Sequence, residues 1–170
     1  MIEILILFEI HCQVLTMYGI RKAIKDDFSA LLIPSLGTIK PALKRLETSG
    51  FIKSRRDITK GGRPSVYYSV TKAGLEEMKK LVMDIPLDNP VQFLTASRVK
   101  LACADVLDKQ EQINMLQQLK LKAQTILADI NNIIKDKELS YYPKMVFDNL
   151  ACEYKNFISL LEGFEHACTR

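Results

Sequence analysis

Only two histidines, His11 and His166, occur among the 170 residues, and that scarcity is the first constraint on chemistry. No G-x-S-x-G elbow, Walker-type loop or G-x-G-x-x-G turn is present, so the common signatures of nucleophilic catalysis and phosphate-cofactor binding are missing and no enzyme is expected. C-x-x-C pairs are also lacking. Cys12, Cys103, Cys152 and Cys168 stand singly on apolar stretches, which excludes a zinc ribbon or thioredoxin-type centre and points to reduced core cysteines. Cys152, His166 and Cys168 do not make a metal set on one helix, since 166 and 168 face different ways and 152 lies about 24 Å from 168 along the axis. Neither a metal nor a cofactor is expected. Long apolar runs are missing too. The opening "MIEILILFEIHCQVL" is broken by Glu3, Glu9, His11 and Gln13 and has no cationic leader. It reads as a buried helix of a cytoplasmic protein, with His11 packed in the core or at a domain junction, and not as a signal or a membrane span.

What the chain does have is localised positive charge. Net charge is +4, yet residues 36–65 alone hold 8 cations against 2 anions. A basic segment on a near-neutral body suggests one polyanion site, although a plain solvated face has the same composition.

Hydrophobic periodicity gives a mainly α chain with one small β-hairpin. Residues 2–15 are apolar almost all round. Thr16 can cap a second helix over 17–28, and Ser35 opens a third over 35–49, which Gly50 stops. The inner stripe of that third helix is Leu36, Ile39, Leu43 and Leu46. Strands follow at 51–58 and 65–70, where Val66, Tyr68 and Val70 point one way and Tyr67 and Ser69 the other. Thr71 can cap a fourth helix to residue 84. Helix, helix, helix, strand, tip, strand, helix is the order of a winged helix-turn-helix. "DIPLDNP" at 84–90 marks a boundary, giving an N-terminal winged domain over 1–84, a linker over 85–90 and a C-terminal helical domain over 91–170. Helices are expected there at 91–107, 109–138 and 143–168, the last two antiparallel. A helix roughly 45 Å long is more than a small domain covers alone, so a homodimer is expected. Its contacts are placed on Ile113, Leu116, Ile126, Ile130, Leu150, Tyr154, Phe157 and Leu161.

In a helix-turn-helix the second helix enters the major groove start-first. That assigns Ser35, Gly37, Thr38, Lys40, Pro41 and Lys44 to double-stranded DNA. Pro41 removes one helical hydrogen bond and should loosen or kink the first turn. The hairpin is the wing over 57–65, with Lys60, Gly61, Gly62 and Arg63 at its tip and Lys53, Arg55 and Arg56 on its strand, all suited to phosphate. Tyr67 is open between donating to phosphate and packing on the third helix. Tyr18, Arg21 and Lys22 are open between a phosphate clamp and a solvated face.

These residues resemble the PadR-type bacterial transcriptional regulators. The resemblance rests on "YGIRKAI" (18–24), "GTIKPALKRLETSGFI" (37–52) and "GGRPSVYYSVTKAG" (61–74), about 80 residues in fixed order. It implies a winged-helix dimer, usually a repressor, acting on an inverted-repeat operator; the length is similar to the longer subfamily, which has a helical C-terminal domain. Lys40 stands where the family usually has an aromatic before the proline, so altered operator preference and steeper salt dependence are expected. Without tryptophan, the aromatic sandwich that some short members use for flat drugs does not carry over. Tyr141, Tyr142, Phe147, Tyr154, Phe157 and Phe164 suit either core packing or a pocket for a flat aromatic or phenolic effector. The rival reading is a protein-interaction or assembly module that uses the winged domain and long helix pair without DNA.

Overall fold

The computed structural model describes residues 1–58, 64–85 and 90–168. The chain divides into two compact units. One joins Met1–Asp84 with Thr95–Val106, and the other holds the described residues of Ile85–Leu94 and Leu107–Arg170.

In the first unit, helix α1 (Ile2–Cys12) is the central element. Ile4, Leu5, Ile6 and Leu7 are consecutive and all buried, so the helix is covered on several sides, by α2 (Met17–Phe28), α3 (Leu36–Thr48), strand β3 (Pro64–Val70) and α4 (Lys72–Met83). Each fully buried aliphatic side chain of this kind contributes about 1.5–3 kcal/mol. Phe8 meets Phe28 edge-to-face, ring centres 5.9 Å apart.

The helix expected to run to residue 15 ends at Cys12, with Gln13 in extended backbone. Leu15–Thr16 then forms a two-residue strand, β1, paired antiparallel with Tyr68 and Tyr67. A free strand edge captures these backbone groups, and apolar periodicity alone cannot signal so short a strand. The sheet is thus three-stranded in the order β1-β3-β2, with β2 at Ile52–Ile58.

Four residues expected in the core lie elsewhere. His11 and Cys12 are exposed, and Cys152 in the second unit is exposed as well, while Cys168 is half-buried. Among the cysteines only Cys103 is fully buried, its thiol pushed up to about 12 by burial first and then by Glu9 and Cys12. The buried polar residue on α1 is instead Glu9, whose Oε1 has no hydrogen-bond partner.

The junction of α3 with β2 shows why its residues are what they are. Gly50 takes φ +73°, the left-handed conformation that ends a helix. Its N–H donates to the Glu47 carbonyl at 3.0 Å and the Phe51 N–H to Leu46 at 2.9 Å, the paired bonds of a Schellman stop. Thr71 caps α4 by accepting from the Gly74 N–H at 3.0 Å, and its hydroxyl donates back to the Gly50 carbonyl at 2.8 Å. Gly74 packs against the Phe51 backbone so closely that a Cβ would collide with the Phe51 carbonyl.

The second unit is built on α6 (Lys109–Asp136) and α7 (Tyr141–Cys168). Asp108 and Glu111 form a full capping box at the start of α6. Lys120 pairs with Glu165, and Cys168 Sγ lies 3.7 Å from Gln112 Oε1, so the start of α6 lies beside the end of α7 and the pair is antiparallel. Pro143 falls in the first turn of α7, where its missing N–H is not needed. Helix α5 (Pro90–Ala102) and a 3₁₀ turn at Ala104–Val106 complete the described elements. The boundary expected at 85–90 would put all of 91–107 with the second domain, whereas the compact units divide α5, with Thr95–Val106 grouped with the first.

The residues assigned to dimer contacts are placed differently. Leu116, Ile126, Ile130, Tyr154, Phe157 and Leu161 are buried within the single chain, where the two antiparallel helices cover each other's inner stripes. Phe93 adds a ring stacked on Tyr154 at 6.3 Å and edge-on to Phe157 at 6.0 Å. Ile113 and Leu150 are only half-buried. Among the described residues no helix is long and apolar enough to cross a membrane.

Candidate nucleic-acid interface

Helix α3 buries Ile39, Ala42, Leu43 and Leu46 and leaves its other side to solvent. At 100° per residue the outermost ridge is Gly37, Pro41, Lys44 and Thr48, all exposed. Thr38 and Arg45 lie on one flank, Lys40 and Glu47 on the other. All six residues assigned from the sequence (Ser35, Gly37, Thr38, Lys40, Pro41 and Lys44) are therefore on the open side of one helix. Leu36, expected on the inner stripe, is half-buried, and Ala42 takes the place beside Leu43.

Ser35 caps the helix by accepting from the Thr38 N–H at 3.1 Å, and its hydroxyl lies 2.9 Å from the Thr38 hydroxyl. Its oxygen is thus committed locally, and Thr38 is the freer of the two. The expected loosening at Pro41 is not seen as a break, since α3 continues through it from Leu36 to Thr48. Residue 41 would have bonded the carbonyl of Gly37, which is on the exposed ridge, so water can satisfy that carbonyl.

The wing lies on the Lys40 flank. A groove of about 320 Å³ is lined by Tyr18, Lys40, Val66 and Tyr68, together with Thr16, Met17, Pro64 and Ser65. Tyr68, not the Tyr67 singled out from the sequence, is the β3 tyrosine that lines this groove, together with Tyr18 of α2. Burial first, and then the Glu47 carboxylate, raise its hydroxyl above the ordinary tyrosine value. Tyr67 is half-buried and sits between Thr16 and Arg55 in the sheet. Alternation along β3 would have marked the two tyrosines as opposite-facing, but only the position of α3 decides which one meets the groove. Lys53, Arg55 and Arg56 are exposed on β2, with Arg55 paired to Asp57 at 3.1 Å. The tip residues Lys60, Gly61, Gly62 and Arg63 lie outside the described residues.

At the start of α2, Tyr18 is 67% exposed, and Lys22 is exposed. Arg21 does something else. Its Nε donates to the Pro34 carbonyl at 3.4 Å, tying α2 to the turn that leads into α3. A second groove, about 420 Å³, runs along α3 past Pro41, Lys44, Arg45, Thr48 and Ser49.

The aromatics weighed for an effector divide, with Tyr154 and Phe157 in the core and Tyr141, Tyr142 and Phe164 exposed. Among the described residues no three His, Cys, Asp or Glu side chains gather as a metal set.

A capped helix with a basic open side, set beside a β-wing and held by two further helices, defines a winged helix-turn-helix domain. Residues 6–80 match the family model for "Transcriptional regulator PadR-like family". Residues 6–80 are thus a PadR-like transcription-regulator domain. No curated protein matches the sequence. Among solved structures it is similar to Bacillus subtilis PadR in complex with operator DNA, at 22% identity over 98% of both chains and a TM-score of 0.46. The same protein in complex with p-coumaric acid is similar at 22% identity over 99% of both chains, TM-score 0.43. A PadR family transcription regulator from Clostridium difficile is 28% identical, covering 46% of this chain and 80% of that one, TM-score 0.42. With every one of these scores below 0.5, the family assignment rests on the 6–80 match.

Proposed function

We propose that this regulator binds double-stranded DNA sequence-specifically as a homodimer on an inverted repeat and represses transcription there. Helix α3 enters the major groove, and the wing over 57–65 lies along the backbone or minor groove beside it. The observation that carries the reading is the partition of α3. Its apolar side is buried, Thr38, Lys40 and Lys44 lie on its open side, and the neighbouring strand β2 carries the exposed cations Lys53, Arg55 and Arg56. Phosphate contacts from Lys53, Arg55, Arg56, Lys60 and Arg63 would fix the register, and Thr38, Lys40 and Lys44 would meet base edges.

Dimerisation is assigned to the outer side of α7. Val146, Leu150, Leu160 and Phe164 keep four- and three-residue spacing along the helix, with Glu153 and the buried Phe157 between them. Val146, Leu160 and Phe164 are 64%, 45% and 42% exposed. An apolar stripe with this period is the seam of a helix-helix interface. Two subunits joined this way would present their α3 helices about 34 Å apart. A flat aromatic or phenolic effector belongs to the same reading, and p-coumaric acid is the first compound to add to the binding assay.

Electrophoretic mobility shift over a salt series tests the proposal. Four phosphates neutralised per subunit give a log–log slope of about −7 for the dimer. A flat response would instead favour an interaction module that does not use DNA.

A further inference from the structure

Helix α3 is tied from both flanks by residues that the DNA-reading surface does not require. On one side Arg45 Nε and Nη2 converge on Glu3 Oε1 of α1, both at 2.8 Å. On the other side Glu47 Oε1 accepts from the Ser54 hydroxyl of β2. The two residues are about 200° apart around the helix, so they pull on opposite flanks, one through a cation and one through an anion. We propose that Arg45 and Glu47 are positioning residues whose ties to Glu3 and Ser54 set the roll of α3 about its own axis, and so select which of Thr38, Lys40 and Lys44 meets the bases. This rests on the DNA reading above.

The apolar side of α3 is held by Ile39, Ala42, Leu43 and Leu46, and burial of this kind is non-directional. Ala42, in the middle of that stripe, is a small wedge. Among the described residues the tie near the N-terminal half is the Arg21 bond to the Pro34 carbonyl, and Gly37 and Pro41 have no polar side chain to add another. A roll of about 10° moves a side-chain tip by about 1 Å on a helix of about 5–6 Å radius. That displacement takes a hydrogen bond from good geometry to none. Directional bonds on both flanks are what resist it.

The anion is informative. Glu47 lies on the same flank of α3 as Lys40, and its partner Ser54 shares a face of β2 with the exposed Arg56, so on a surface meant for phosphate its carboxylate weakens binding to any DNA. A tie to the wing gives it a reason to be there. Exposed pairs of this type add little to stability, so the effect belongs in discrimination between sequences and not in melting temperature.

The test uses the full chain with two probes: a duplex that the wild type enriches from a randomised pool, and mixed-sequence genomic DNA. Glu47→Ala is expected to lower the ratio of the two affinities about tenfold, the size of one lost base contact, while tightening binding to mixed-sequence DNA. Glu47→Gln keeps an acceptor for Ser54 and should keep the ratio. Arg45→Met should lower the ratio with the salt slope unchanged. Should Arg45→Met weaken both probes equally and flatten the slope by about one, Arg45 is a phosphate contact and the inference fails. It fails equally when Glu47→Ala leaves the ratio intact. A wild type that enriches no duplex overturns the DNA reading and this inference together, whereas enrichment with unaffected variants overturns the inference alone.

Discussion

Replacing Glu9 by glutamine should stabilise the first unit above neutral pH and leave it unchanged in acid. Glu9 is 2% exposed on the most buried helix, with one carboxylate oxygen unpartnered. Burial first, and the nearby Asp27 carboxylate second, raise its pKa from 4.5 to about 7. Asp27 on α2 and the thiols of Cys12 and Cys103 share its surroundings, and Lys100, which lies near Cys103, is not among the causes of the Glu9 shift. Because the folded form holds this proton more tightly than the unfolded chain, the folded state binds more protons between pH 4.5 and about 7. Stability therefore falls as pH rises through that window, and the loss is complete above it. A shift of this size corresponds to about 3 kcal/mol at ~1.4 kcal/mol per unit. Glutamine keeps the shape and the amide stands in for the protonated acid, so the variant lacks that slope. Urea denaturation of both proteins from pH 4 to pH 9, followed by circular dichroism, measures the difference directly. Subtracting one curve from the other removes the contribution of every other titrating group. Parallel curves, or a variant less stable at pH 8 than the wild type, would falsify the assignment.

Other perturbations address packing, reading and assembly. Gly74→Ala forces a methyl against the Phe51 carbonyl and should cost about 1–3 kcal/mol, seen as a lower urea midpoint. Thr38→Val and Lys40→Ala should change base preference by about 1–3 kcal/mol at the steps they meet, whereas Lys60→Ala and Arg63→Ala should weaken binding to all sequences alike; competition binding against single-base operator variants distinguishes the two. Val146→Asp combined with Leu160→Asp should convert dimer to monomer in sedimentation velocity without lowering the melting temperature, since both side chains are exposed within one chain.

Much of this molecule is legible in its sequence because local rules and tertiary contacts agree. Thr16 and Thr71 read as caps and are caps, each accepting from an N–H three residues on; Ser35, read as the first residue of its helix, is instead the cap of a helix that begins at Leu36. Gly50 reads as a helix stop and takes the left-handed conformation the stop requires. The open side of α3 follows from three- and four-residue spacing of its apolar positions. Where the reading went astray, the deciding information lay elsewhere in the chain. The strand at Leu15–Thr16 exists only because β3 has an edge to offer. Tyr68 faces the groove because α3 is on that side of the sheet, a fact that alternation along β3 does not contain. The inner residues of α6 and α7 look the same whether a partner helix comes from the same chain or from another. Glu9 looked like a polar interruption, and only the packing of α2 and Cys103 around it makes it a buried acid.

The ridge of α3 that projects furthest carries glycine, proline, lysine and threonine, half of them unable to donate or accept through a side chain. In a groove, such a slim prow brings backbone close to the bases but has few groups with which to interrogate them. Discrimination must then draw on how readily each stretch of duplex narrows, bends or twists to accept the helix. Binding sites for a protein built this way would share a mechanical character more than a fixed spelling, so that base changes preserving local pliability are tolerated and several divergent promoters can answer to one regulator.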